Sequence, residues 1–102
     1  MKIVINDCWG GFGVSEDVYK ELGITWDEYG YLDNEHFNIK SANFDAYRSH
    51  PKLIAAIEKV GIEKASGWLA KLKIVEIPDD VDWYIHDYDG METIHEKHRY
   101  WE

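Results

Sequence analysis

One cysteine, Cys8, is all the thiol this chain has. A single thiol closes no intramolecular disulfide and supplies neither a zinc knuckle nor a paired-thiol redox motif, so Cys8 reads as an inert residue at a strand end. Positive charge is also scarce. Eleven Lys and Arg stand against twenty Asp and Glu, a net charge of −9 over 102 residues. Such a chain is repelled by phosphate backbones, which excludes nucleic acid as a sequence-independent partner and leaves a basic protein surface open. No apolar run is long enough to span a bilayer. The residues after Met1, Lys-Ile-Val-Ile-Asn-Asp, lack the apolar stretch of a secretion signal. The expected location is therefore the cytoplasm, with no membrane partner. Repeats, low-complexity tracts and linkers are missing too, which leaves a single domain over 1–102.

Apolar material is present in quantity. Hydrophobic residues make up 45% of the chain and aromatics 15%, with five Trp and seven Tyr. That suffices for a core and argues against disorder. Rings in this number either build the core or line a surface that binds something flat.

The order of elements follows from local pattern. The β-branched run Lys2 to Asp7 predicts a strand, broken at Trp9-Gly10-Gly11-Phe12-Gly13. Ser15 is placed as a helix N-cap with Glu16 and Asp17 in the first turn; Val18, Tyr19 and Leu22 form the buried face and Gly23 the stop. Thr25 to Glu28 matches a capping box and predicts one further turn of helix. Gly30 to Ile39 has no period and reads as a loop with an extended piece at Tyr31 and Leu32, suited to a lid or binding edge or a plain connection. Pro51 opens the clearest helix, with Leu53, Ile54, Ile57 and Val60 at helical spacing and Gly61 at its end. A turn over Glu63 to Gly67 and a strand within Leu69 to Ile77 follow. Asp89-Gly90 between two β-patterned runs predicts a two-residue hairpin turn. In that register Tyr88 opposes Met91, His86 opposes Thr93 and Tyr84 opposes His95, while Trp83, Ile85 and Ile94 face the core. The expected fold is α+β: a small, largely antiparallel sheet of about four strands with a C-terminal hairpin, covered by two or three helices.

Three constellations carry chemistry. A strand, a glycine turn and a helix start can offer backbone N–H groups to an anion, and Trp9 and Phe12 would flank it; the same residues also suit a tight turn that tucks both rings inward. The run is neither a P-loop nor a dinucleotide fingerprint. On the hairpin, Tyr84, His86, Thr93, His95, Lys97 and Arg99 share a polar face. Two histidines without a third ligand make no expected metal site, and a general acid–base role lacks a partner nucleophile. Arg48-Ser49-His50-Pro51 joins a cation to a helix start, as an anion contact or as a cap with a solvated Arg. Hydrolase, kinase and protease motifs are absent, as is a carboxylate pair for glycoside chemistry, so catalysis and a cofactor are not expected.

The opening Ile3-Val4-Ile5-Asn6-Asp7-Cys8-Trp9-Gly10-Gly11-Phe12-Gly13-Val14-Ser15 resembles V-I-N-x-C-[YW]-G-G-F-G-[LV]-S. That is the start of a family of small phage and prophage proteins with no settled activity. Arg48 with Pro51 to Ile54, Leu72 to Val81, and Ile94 to Arg99 with Trp101 resemble its later segments. His50 departs from the acidic or polar residue of that pattern, and nothing is carried over from Ile24 to Tyr47. The resemblance implies a phage protein acting against host defence in the host cytoplasm, either by sequestering a nucleotide signal or by binding a host protein.

Together these readings make the leading expectation a non-enzymatic binder of a small anionic, nucleotide-derived ligand, with a pocket that a homo-oligomer would complete. Its residues would be Trp9, Gly10, Gly11, Phe12, Gly13, Arg48, His95, His98, Arg99 and Trp101. The alternative is a protein-interaction module that inhibits a host protein through an acidic, aromatic-rich surface.

Overall fold

The computed structural model describes residues 1–96. Strand β1 (Lys2–Asn6) leads through the glycine loop to helix α1 (Glu16–Leu22). Two 3₁₀ turns, Asn34–Phe37 and Ala46–Ser49, precede α2 (Pro51–Val60) and the short α3 (Ile62–Ala65). Strands β2 (Leu72–Glu76), β3 (Trp83–Tyr88) and β4 (Met91–Glu96) complete the α+β chain. Gly23 takes the left-handed conformation that ends α1, and the His50 Nδ1 caps α2 by accepting from the Lys52 amide. Leu53 and Ile57 of α2 are fully buried, each worth roughly 1.5–3 kcal/mol against exposure.

Two local expectations give way. Ser15 occupies the N-cap of α1, but its side chain makes no cap hydrogen bond. Residues Thr25 to Glu28 do not form a helical turn. Instead the Asp27 carboxylate folds forward onto the amides of Tyr29 and Gly30, a side-chain turn that competes with helix.

The four strands form two antiparallel ribbons, β1–β2 and β3–β4, rather than one continuous sheet. Within the hairpin, Tyr88 pairs with Met91, His86 with Thr93 and Tyr84 with His95, as the Asp89-Gly90 turn requires. Alternation along β1 then separates two cores. Val4 joins the helices, where Val18, Tyr19, Leu53 and Ile57 are buried. Ile3 and Ile5 point to the other side, where Trp83, Ile85 and Ile94 of the hairpin cover them. The β1–β2 ribbon is thus the middle layer, with helices on one face and the hairpin on the other.

A buried ion pair explains why the ribbons do not merge. Arg48 and Glu92 are each 4% exposed. The guanidinium makes a fork–fork pair with the carboxylate, Nη1 to Oε1 at 2.8 Å and Nη2 to Oε2 at 2.9 Å. The same two groups close the free edge of β1. Asn6 N–H donates to Glu92 Oε1 at 2.8 Å, and Val4 C=O accepts from Arg48 Nη1 at 3.3 Å. Those positions are where a third strand would hydrogen-bond, and the side chains occupy them. The Arg48 Nε donates to the Tyr47 hydroxyl at 2.9 Å, and its guanidinium carbon lies 3.5 Å from the Phe12 ring centroid. Burial works against the charge of Arg48; the hydrogen bonds to Glu92 and the neighbouring Tyr47 outweigh it and hold the group above its ordinary value.

Asn6 is the second fastening. It is fully buried. Its Nδ2 donates to Cys8 O and Gly90 O, both at 2.7 Å, and its Oδ1 accepts from Lys71 N at 2.8 Å. One amide thereby ties the end of β1 to the hairpin turn and to the approach to β2.

Removing either partner of the ion pair strands a charge in the interior, which typically costs about 3–5 kcal/mol. Arg48→Ala and Glu92→Ala are each expected to lower unfolding stability by that order in denaturant titration. Arg48→Lys restores only part of the loss, because an ammonium cannot make the paired fork. Stability within about 1 kcal/mol of wild type in both alanine variants contradicts the assignment.

Candidate functional site

The glycine loop is packed tightly against its neighbours. A Cβ at Gly10 would stand 1.8 Å from the carbonyl oxygen of Leu69. Gly90, at φ 92°, comes so close to the loop that a Cβ there would meet Gly11 N and Trp9 O at 2.6 Å. Gly67 N–H donates to Gly13 O at 2.9 Å, and Val14 N–H to Gly30 O at 3.0 Å. Glycine here permits close approach of backbones. Three loops and the hairpin turn therefore converge at one end of the molecule.

Between the loops lies a cleft of about 190 Å³. Its walls are the 10–13 loop, the 67–70 segment, and Glu28, Tyr29 and Tyr31. The rims are aromatic and open: Trp68 is 95% exposed, Tyr29 72% and Tyr31 65%. The two tyrosine rings lie nearly parallel, 8° apart with centroids 6.2 Å apart. Next to the cleft Trp9, also exposed, meets Tyr88 of the hairpin edge to face at 5.9 Å. Exposed rings gathered in this way are uncommon on a surface that binds nothing.

Asp27 shapes the tyrosine rim. Its Oδ1 accepts from Tyr29 N at 2.8 Å and Gly30 N at 2.7 Å. The Tyr19 hydroxyl beneath lies 3.0 Å from both Asp27 Oδ2 and the Tyr31 carbonyl. Desolvation pushes the Asp27 carboxyl up, but the Gly30 and Tyr29 amides and the Tyr19 hydroxyl together outweigh it and hold the group below its ordinary value. Tyr19 is pushed the other way, first by burial and then by the Asp27 carboxylate, so its phenol stays protonated. The turn also sets Glu28 at φ 71°, a left-handed backbone that costs a residue bearing a Cβ about 1–2 kcal/mol.

Among the described residues Glu28 is the one acidic residue lining the cleft, and no Lys, Arg or His lines it. The amides of Gly10, Phe12 and Gly13 donate to no acceptor among the described residues, and of the three Gly13 is buried.

The expected site residues divide into three groups. Trp9, Gly10, Gly11, Phe12 and Gly13 lie together at the cleft or its border. Arg48 lies beneath Phe12 and is turned inward to Glu92, so its guanidinium is spent on the fold rather than offered to a phosphate. His95 is elsewhere, on the exposed hairpin face, with Thr93 Oγ1 at 3.0 Å and the His86 ring at 5.2 Å, and it does not line the cleft. His98, Arg99 and Trp101 lie outside the described residues. Among the described residues no group of three or more His, Cys, Asp or Glu is placed to hold a metal ion, and no helix is long and apolar enough to cross a membrane.

The sequence places Glu28 in a capping box and Tyr31 in an extended piece but offers neither as a site residue, and it singles out neither Tyr29 nor Trp68. The aperiodic stretch from Gly30 reads as a lid, a binding edge or a plain connection, and nothing in the sequence marks Trp68. Comparison with protein-family models, with curated proteins and with solved structures gives no match.

The Asp27 turn has a pH signature. A depressed carboxyl adds stability that is complete above the ordinary value of 3.8 and is lost as the pH falls through the lower folded value. The amide resonances of Tyr29 and Gly30 are expected to titrate with a midpoint below 3.8. A midpoint at or above that value contradicts the role given to Asp27.

Proposed function

We propose that the protein is an interaction module that docks an extended, basic segment of another protein into the aromatic cleft. One observation carries the reading: exposed Tyr29, Tyr31 and Trp68 surround a cleft whose lining holds one carboxylate and, among the described residues, no cation. Flat amphipathic rings supply contact area at low entropic cost and serve as interface anchors. The net charge of −9 steers a basic partner toward this surface. The amides of Gly10 and Phe12, which donate to no acceptor among the described residues, suit the carbonyl oxygens of a strand lying across the glycine loop. On the resemblance to phage proteins, the partner we propose is a bacterial host protein and the proposed consequence its inhibition.

A small anionic, nucleotide-derived ligand is the competing occupant. The near-parallel tyrosine rings, and amides that donate to no acceptor among the described residues, favour it. The charge does not, because Arg48 is committed to Glu92 and, among the described residues, Glu28 is the one charged residue on the cleft wall.

The two readings separate in one pair of experiments. Immobilised wild-type protein is expected to retain a bacterial protein that salt elutes. The double variant Tyr29→Ala, Trp68→Ala should bind it at least about thirtyfold more weakly, the loss of about 2 kcal/mol seen at an interface anchor. Equal retention by the variant, together with a rise in melting temperature on adding one class of nucleotide, overturns the docking reading in favour of the ligand.

A further inference from the structure

We infer that the cleft recognises one arginine side chain of its partner, held between the aromatic rim and the Glu28 carboxylate. This rests on the docking reading and names the group that the site selects. The argument begins with what the cleft contains. Glu28 is its one carboxylate, and among the described residues no internal cation competes for it there. Glu28 takes part in none of the ion pairs formed among the described residues. Its left-handed backbone stands in the Asp27 turn, directly before Tyr29, and its side chain is exposed.

The rings supply the rest. Tyr29 and Tyr31 are parallel to each other and largely open to solvent, and Trp68 is almost wholly exposed. Aromatic faces attract a cation through their negative quadrupole, and Trp and Tyr do so best. A guanidinium is planar, weakly hydrated and always charged, so it stacks on a ring while its edge reaches a carboxylate. An ammonium gives up more hydration and cannot stack. The protein already satisfies one guanidinium in this way, for Arg48 lies over the Phe12 ring while it pairs with Glu92. At the cleft an acidic residue and the rings are exposed, and among the described residues no cation lines it, a place the partner's arginine would fill.

The test uses three peptides, acetyl-Gly-Leu-X-Leu-Gly-amide with X arginine, citrulline or norleucine, titrated into the whole protein and followed by amide chemical shifts. Citrulline keeps the shape of arginine without its charge. The arginine peptide is expected to shift the resonances of Tyr29, Tyr31 and Gly67 to Ala70 and to bind at least tenfold more tightly than either control. Glu28→Gln should reduce that preference to threefold or less while leaving the melting temperature and the norleucine affinity unchanged. If the citrulline or norleucine peptide binds at the cleft as tightly as the arginine peptide, the arginine inference fails and the docking reading stands. If no peptide moves the cleft resonances, the docking reading fails and the inference with it.

Discussion

A charge that must be buried organises this protein. Glu92 sits on the hairpin face that also carries Trp83, Ile85 and Ile94, and a carboxylate on a core face is costly unless a cation meets it. Arg48 meets it with a paired fork, and both groups then spend their remaining hydrogen-bonding capacity on the open edge of β1. A buried ion pair is rarely a better source of stability than apolar packing of the same volume. Its effect here is positional. It ends the β1–β2 ribbon at two strands and fixes where the hairpin lies across it.

The cleft depends on that position. Docking the hairpin brings Gly90 against the glycine loop, and Asn6 ties the Gly90 carbonyl to Cys8. The loop in turn lies on Leu69, and Gly13 accepts from Gly67, so the segment bearing Trp68 is held by backbone contacts rather than by its own side chain. On the far wall Asp27 and Tyr19 perform the same service for Tyr29 and Tyr31. Tyr29, Tyr31 and Trp68 stand in solvent, where they gain little from folding. Their backbone is therefore fixed from below by groups that bind nothing themselves.

Much of the fold was legible in the sequence because it obeys local rules. The Asp89-Gly90 turn set the hairpin register, Pro51 and the spacing of Leu53, Ile54 and Ile57 set α2, and Gly23 ended α1. The division into two ribbons was not legible, since it turns on a contact between residues 44 apart in the chain. Even so, the hairpin register places Glu92 on the core face, and from there a buried cation partner could have been demanded. Arg48 reads in the sequence as an anion contact or as a solvated Arg beside a cap, because an Arg beside a helix start shows the same pattern whether its head is turned out or in. Trp68 carried no signal at all: an exposed ring and a core ring look alike in sequence. The α+β class, by contrast, needed only the local elements.

The central claim is that the ion pair at the β1 edge makes the hairpin and the helical body one cooperative unit. Native-state hydrogen exchange of the Asn6 amide tests it in the unmodified protein, because that N–H donates to Glu92 while the neighbouring Ile5 amide faces β2. The account predicts that Asn6 exchanges only through the same global opening as Ile5, with equal protection and equal dependence on denaturant. An Asn6 amide that exchanges through a smaller, denaturant-independent opening while Ile5 stays protected would show that the hairpin leaves the body on its own, and would contradict it.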